Sequence, residues 1–174
     1  MNGITNHKTL NFTYMEIVET QPKQRPALLT ALCILTFIGS GFNVFNNILG
    51  MIMSPIKNFI DPSVFEMILD EVDDDFARRF VEQALEIAQK ALEHAFEISL
   101  TNFLLYGASL TGAILMFQMK KAGFYLYSVA QVLLLFVAPV FVGFNLFVNM
   151  GILFSSFFTI LFIALYAINL KKMN

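Results

Sequence analysis

Residues 120–172 read KKAGFYLYSVAQVLLLFVAPVFVGFNLFVNMGILFSSFFTILFIALYAINLKK, and between Lys121 and Lys171 there is no Asp, Glu, Lys or Arg. A helix needs roughly 20 mostly apolar residues to cross about 30 Å of hydrocarbon. The stretch therefore reads as two spans, 122–143 and 147–170, joined by an uncharged connection near Asn145. Its apolar runs are continuous and do not alternate with period two, which selects helices over strands.

Working outward, residues 98–119 form another such run, and Ala27–Met53 form the first of the chain. The predicted fold is an all-α integral membrane protein with four transmembrane helices. Composition agrees. Of 174 residues, 57% are hydrophobic and 14% charged, with a mean hydropathy of +0.67. Soluble domains average about 45–50% and about 25%. These values exclude a disordered chain and argue against a soluble enzyme. The net charge of −2 offers no general attraction to nucleic acid. Cys33 is the single cysteine, so neither an intrachain disulfide nor a thiolate metal cluster can form.

Flanking charge sets the orientation. Lys8, Lys23 and Arg25 precede the first span, Lys120 and Lys121 separate the second from the third, and Lys171 and Lys172 follow the fourth. With four spans, these seven of the eleven basic residues share one side, predicted to be cytoplasmic. Residues 1–26 are then a cytoplasmic tail and 171–174 a cytoplasmic C-terminus. The connection 54–97 holds eleven of the thirteen acids and four basic residues, a net −7, and is predicted to face outward. Small size and the lack of a targeting signal point to a bacterial cytoplasmic membrane. The first span is too long for a cleaved signal peptide and has no A-x-A site. Leu32 before Cys33 does not fit a lipoprotein site. The triplet Asn11-Phe12-Thr13 is a glycosylation pattern on the wrong side of the membrane.

The outward segment starts with a helix signal. Asp61 can cap free N–H groups, and Pro62 suits the first helical position. Val64, Phe65, Ile68 and Leu69 follow at three- and four-residue spacing, which predicts a short amphipathic helix. The acids from Asp70 to Asp75 lack the glycine and spacing of a calcium loop and read as a solvated turn. From Asp75 to Met119 nothing breaks the pattern. One continuous helix, roughly 65 Å long, is expected to project about half its length beyond the membrane. Phe80, Ala84, Ala88, Ala91 and Ala95 lie along one side of it and permit close approach of a partner helix. His94 and Glu97 share a face, but the paired Glu-x-x-His motifs of a di-metal bundle are missing. No metal and no cofactor is expected.

Within the spans, Thr36, Ser40, Asn43, Asn47 and Gly50 form one stripe, flanked by Gly39 and Asn46. Asn102, Tyr106, Ser109 and Ala113 form a second, and Ala108-x-x-x-Gly112 has the spacing of close helix packing. The third span carries Gln131 and the kink-prone Pro139, and the fourth carries Ser155, Thr159 and Tyr166 on one face. Phe154, Phe157, Phe158 and Phe162 are expected to face lipid, and Tyr125 and Tyr127 to sit in an interfacial belt. Polar groups in hydrocarbon should face protein or water. No span holds an ionisable acid, base or histidine, so neither a proton relay nor an ion-coupling carboxylate is present. No nucleophile–histidine pair, phosphate loop or metalloprotease motif occurs.

The expectation is a non-catalytic accessory or scaffold subunit of a larger membrane complex, in contact with lipid and with other membrane proteins or a second copy. Its docking residues would be Ser40, Asn43, Asn47, Asn102 and Ser109 within the membrane, and the Phe80–Ala95 side outside it. The alternative is a small channel or solute-transport component acting as an oligomer, its pathway lined by asparagines.

Overall fold

The computed structural model describes residues 25–61 and 63–173. Readings that fall on the N-terminal tail before Arg25, on Pro62 or on Asn174 lie outside these residues. Every described element is helical: α1 (Ala27–Met53), a 3-10 turn (Ser54–Phe59), α2 (Ser63–Asp70), α3 (Asp75–Glu93), α4 (Ala95–Phe117), α5 (Lys121–Val142), α6 (Leu146–Asn169) and a closing 3-10 turn (Leu170–Lys172). Four helices, α1, α4, α5 and α6, are long and apolar enough to cross a membrane. They alternate in direction, so Arg25, the Met119–Lys120 turn and Met173 share one end of the bundle, termed the terminal face.

Local chemistry explains the turns. α4 ends in a Schellman motif: Lys120 N–H donates to Leu115 C=O at 2.9 Å and Met119 N–H to Met116 C=O at 2.9 Å, with Met119 in the left-handed region at φ 64°. α5 ends at Gly143, whose φ of 93° with ψ of 176° suits only glycine. Asn145 then caps α6 by accepting from Val148 N–H at 2.9 Å. On the opposite face, Asp61 accepts from Ser63 N–H at 3.0 Å and Asp74 from Ala77 N–H at 2.7 Å. The Ser63 N–H holds the Asp61 carboxyl below the usual carboxylate range.

α4 lies between α1 and α5 and packs along both. Its approach to α5 is closest at Gly112 and Gly123. A Cβ at Gly112 would stand 2.8 Å from Gly123 O and 2.8 Å from Tyr127 N. Two backbones can meet this closely only because neither glycine carries a side chain. The buried cluster lies toward the terminal face: Leu29, Leu32 and Cys33 of α1, Ala113 and Met116 of α4, Tyr127, Tyr166 and Met173. The Cys33 thiol points at the Ala113 carbonyl, 3.6 Å away. Arg25 closes this end with its guanidinium 4.0 Å from the centre of the Phe117 ring. Phe154 and Phe157 of α6 point outward, while Phe162 packs against the core. Tyr125 is exposed, but Tyr127 is buried and stacks edge-on against Tyr166 at 5.0 Å, so it belongs to the core and not to an interfacial belt.

The single helix expected from Asp75 to Met119 is divided. Its backbone bends at His94, with φ −102° and ψ 21°, although His94 N–H still donates to Lys90 C=O and Ile98 N–H to His94 C=O. The cause is tertiary. Phe80 meets Phe147 at the start of α6, ring centres 4.5 Å apart, and His94 lies against Phe141 near the end of α5 at 5.9 Å. α3 therefore runs across the ends of α5 and α6 instead of standing away from them. The bend brings Phe80 onto Phe147 and His94 onto Phe141, and both contacts leave α3 partly exposed.

Candidate functional site

The buried polar residues of the spans come together in pairs across helices. Thr36 Oγ1 and Tyr166 OH share a hydrogen bond of 2.8 Å between α1 and α6. Ser40 Oγ lies 3.2 Å from Ser109 Oγ, and Gln131 Nε2 donates to Ser109 Oγ at 3.0 Å. Ser109 therefore links α1, α4 and α5 at one point.

Beside this link the packing opens. One hollow of about 300 Å³ lies between α1 and α6, bordered by Ser40 and Asn43 on one side and by Phe154 and Phe158 on the other. A second of about 390 Å³ lies between α5 and α6, with Ile87 of α3 at its edge. The two share Tyr106, Gln131, Ser155 and Thr159, which form a polar waist between them. Toward the terminal face the bundle is filled by the Tyr127–Tyr166 stack and the Leu29–Met116 core. No charged side chain lines either hollow. Among the described residues, the hydroxyls of Tyr106, Ser155 and Thr159 make no hydrogen bond.

The residues singled out by sequence divide into three groups. Ser40 and Ser109 are buried and bonded to each other. Asn43 and Asn47 are half-buried and donate to carbonyls of their own helix, Asn43 to Gly39 at 2.8 Å and Asn47 to Asn43 at 2.7 Å. Asn43 borders the first hollow; Asn47 and the half-buried Asn102 line neither. Phe80 is taken up in part by Phe147, while Ala84, Ala88 and Ala91 are half-buried on α3, which packs against α5 and α2, and Ala95 is half-buried at the start of α4. The Phe80–Ala95 side thus meets a surface of its own chain.

Sequence reasoning passed over Gly123 and placed Tyr127 at the interface. Gly123 and Tyr127 stand four apart with Ala130 three further on, the same helical spacing that marked Ala108 and Gly112. Among the described residues, no group of three His, Cys, Asp or Glu side chains could hold a metal ion. No protein-family model, curated protein or solved structure matches the chain.

Proposed function

We propose that this chain is a non-catalytic subunit of a larger membrane assembly, seated in a bacterial cytoplasmic membrane with the terminal face in the cytoplasm. Basic residues at that face and the acids of the opposite connection support the orientation. The observation that carries the subunit reading is Asn46. It is exposed on α1 about 10 Å inside the Met53 end, makes no hydrogen bond to a described residue, and stands among Phe42, Phe45 and Leu49. An unpaired amide facing lipid is unfavourable. Gly39, seven residues earlier on the same face and at the border of the first hollow, has open space where a side chain would be. A small residue and an amide one above the other suit a second transmembrane helix, which can approach closely and bond the amide.

Purification in mild detergent from the native membrane, with mass spectrometry of stoichiometric partners, tests this. A defined partner that is lost from the Asn46→Leu variant is the expected result. Elution of the unaltered chain alone would sink the reading and shift weight to transport. The two polar hollows are the feature that favours a transport role. The filled core toward the terminal face leaves no through-passage in one chain, so that role would need several copies.

A further inference from the structure

We propose that the paired hollows bind the small polar head of an uncharged membrane amphiphile, a neutral lipid whose head is a hydroxyl or ester carbonyl, with its hydrocarbon body emerging between α1 and α6. This goes beyond the subunit reading and does not depend on it.

Unpaired polar groups supply the first reason. Tyr106, Ser155 and Thr159 each present a hydroxyl at the waist without a described partner, and the Gln131 carbonyl oxygen is free to accept while its amide is held by Ser109. These groups face the hollows, and a polar group in apolar surroundings is stabilised by an occupant that hydrogen-bonds to it.

Depth and charge narrow its chemistry. Tyr106 lies eleven residues from the Ala95 end of α4, and Gln131 eleven residues from the Val142 end of α5. At 1.5 Å per residue the waist is about 16 Å below those helix ends, close to the middle of a hydrocarbon layer about 30 Å thick. A phosphate brought to that depth would need a cation, and neither hollow has one. A hydroxyl or ester head reaches it far more readily, and the hydroxyls and amide of the waist offer it donors and acceptors.

Access supports the same occupant. The first hollow is bordered by Leu35, Phe154 and Phe158, all exposed on the outside of the bundle where lipid chains lie. The core blocks entry from the terminal face. A ligand entering sideways from the bilayer must carry an apolar body, and these side chains would contact it. Volumes of about 300 and 390 Å³ fall at the lower end of small-molecule sites, about 300–1,000 Å³, and suit a head with its first methylenes.

The test uses the full chain in phosphatidylcholine nanodiscs and reads the thermal unfolding midpoint. Dioleoylglycerol is the probe, and dioleoyl phosphatidic acid, with the same chains and a phosphate head, is the comparison. The expected result is a saturable rise of about 5–10 °C with dioleoylglycerol at one hundredfold excess over Kd, no such rise with phosphatidic acid, and loss of the rise in Gln131→Leu. Should Gln131→Leu not fold, Ser155→Ala serves, because that hydroxyl holds no other described residue. Three results overturn the proposal: no rise in the unaltered chain, as water-filled hollows would give; an equal rise with phosphatidic acid; or a rise that persists in the folded variants. Failure of co-purification with a partner leaves this readout untouched, so the two proposals fail separately.

Discussion

Replacing Gly123 by alanine tests the packing of α4 on α5 most directly, because the expected sign is opposite to ordinary helix propensity. In a helix interior, glycine to alanine is worth up to about 1 kcal/mol in favour of alanine. At Gly123 the added Cβ would fall on the Gly112 carbonyl oxygen, and would come within 2.6 Å of the Met116 amide nitrogen and 2.8 Å of Leu115 Cβ. These obstacles are backbone or Cβ atoms, so no rotamer change relieves them. The helices must part by about 1 Å, and a gap of 0.5–1 Å forfeits roughly a quarter to a half of each contact's attraction. Overpacking of this kind costs about 1–3 kcal/mol. Gly107→Ala on α4 is the control, since nothing lies within 4 Å of the Cβ it would add. Reversible unfolding of detergent-solubilised protein by SDS titration should show Gly123→Ala less stable than the unaltered chain and Gly107→Ala equal or more stable. Gly112→Ala combined with Gly123→Ala should cost less than the two separately, because one separation of the helices relieves both. Equal stability of Gly123→Ala and Gly107→Ala would refute the close approach.

Three further outcomes follow from single contacts. Tyr166→Phe and Thr36→Val should each lose about 0.6–1.7 kcal/mol, the range for interhelical hydrogen bonds in membranes, and together little more than one alone; additive losses in a double-mutant cycle would deny the 2.8 Å bond. Gly143→Ala should lose about 1–3 kcal/mol from backbone strain alone, since its φ is 93° and nothing lies within 4 Å of an added Cβ; an unchanged unfolding midpoint would contradict that conformation. The Asp61 carboxyl is held low in the folded chain by the Ser63 N–H, so the helicity it supports in α2 is present above the ordinary carboxylate pKa and lost as pH falls through the lowered one. Asp61→Asn should remove that acid-side loss in amide exchange at Ser63–Phe65, and an unaltered acid profile would discount the cap.

The four spans were legible because hydrocarbon imposes a length and forbids charge, and both constraints act residue by residue. The buried line Thr36–Ser40 was legible for a similar reason, since residues four apart share a helix face. Asn43 and Asn47 sit on that same line and are bonded within α1, because an asparagine side chain reaches the carbonyl one turn back; periodicity alone cannot tell the two outcomes apart. The partners Tyr166 for Thr36 and Gln131 for Ser109 depend on the register of one span against another, which no single span encodes. The bend at His94 has no local signal, neither proline nor glycine between residues 75 and 106. It is set by where Phe147 and Phe141 offer surface to α3. The hollows were the least legible feature, because they exist only where α6 stands off from the other three helices.

That stand-off gives the molecule one stiff side and one compliant side. α4 and α5 are locked by backbone contact at Gly112 and Gly123 and α1 packs along α4, whereas α6 is fastened near its ends, by Tyr166 at one and Phe147 at the other. Its middle, from Phe154 to Thr159, bridges open space like a beam on two supports. The two hollows lie beneath that middle stretch, so their size depends on how α6 packs against α1 and α5.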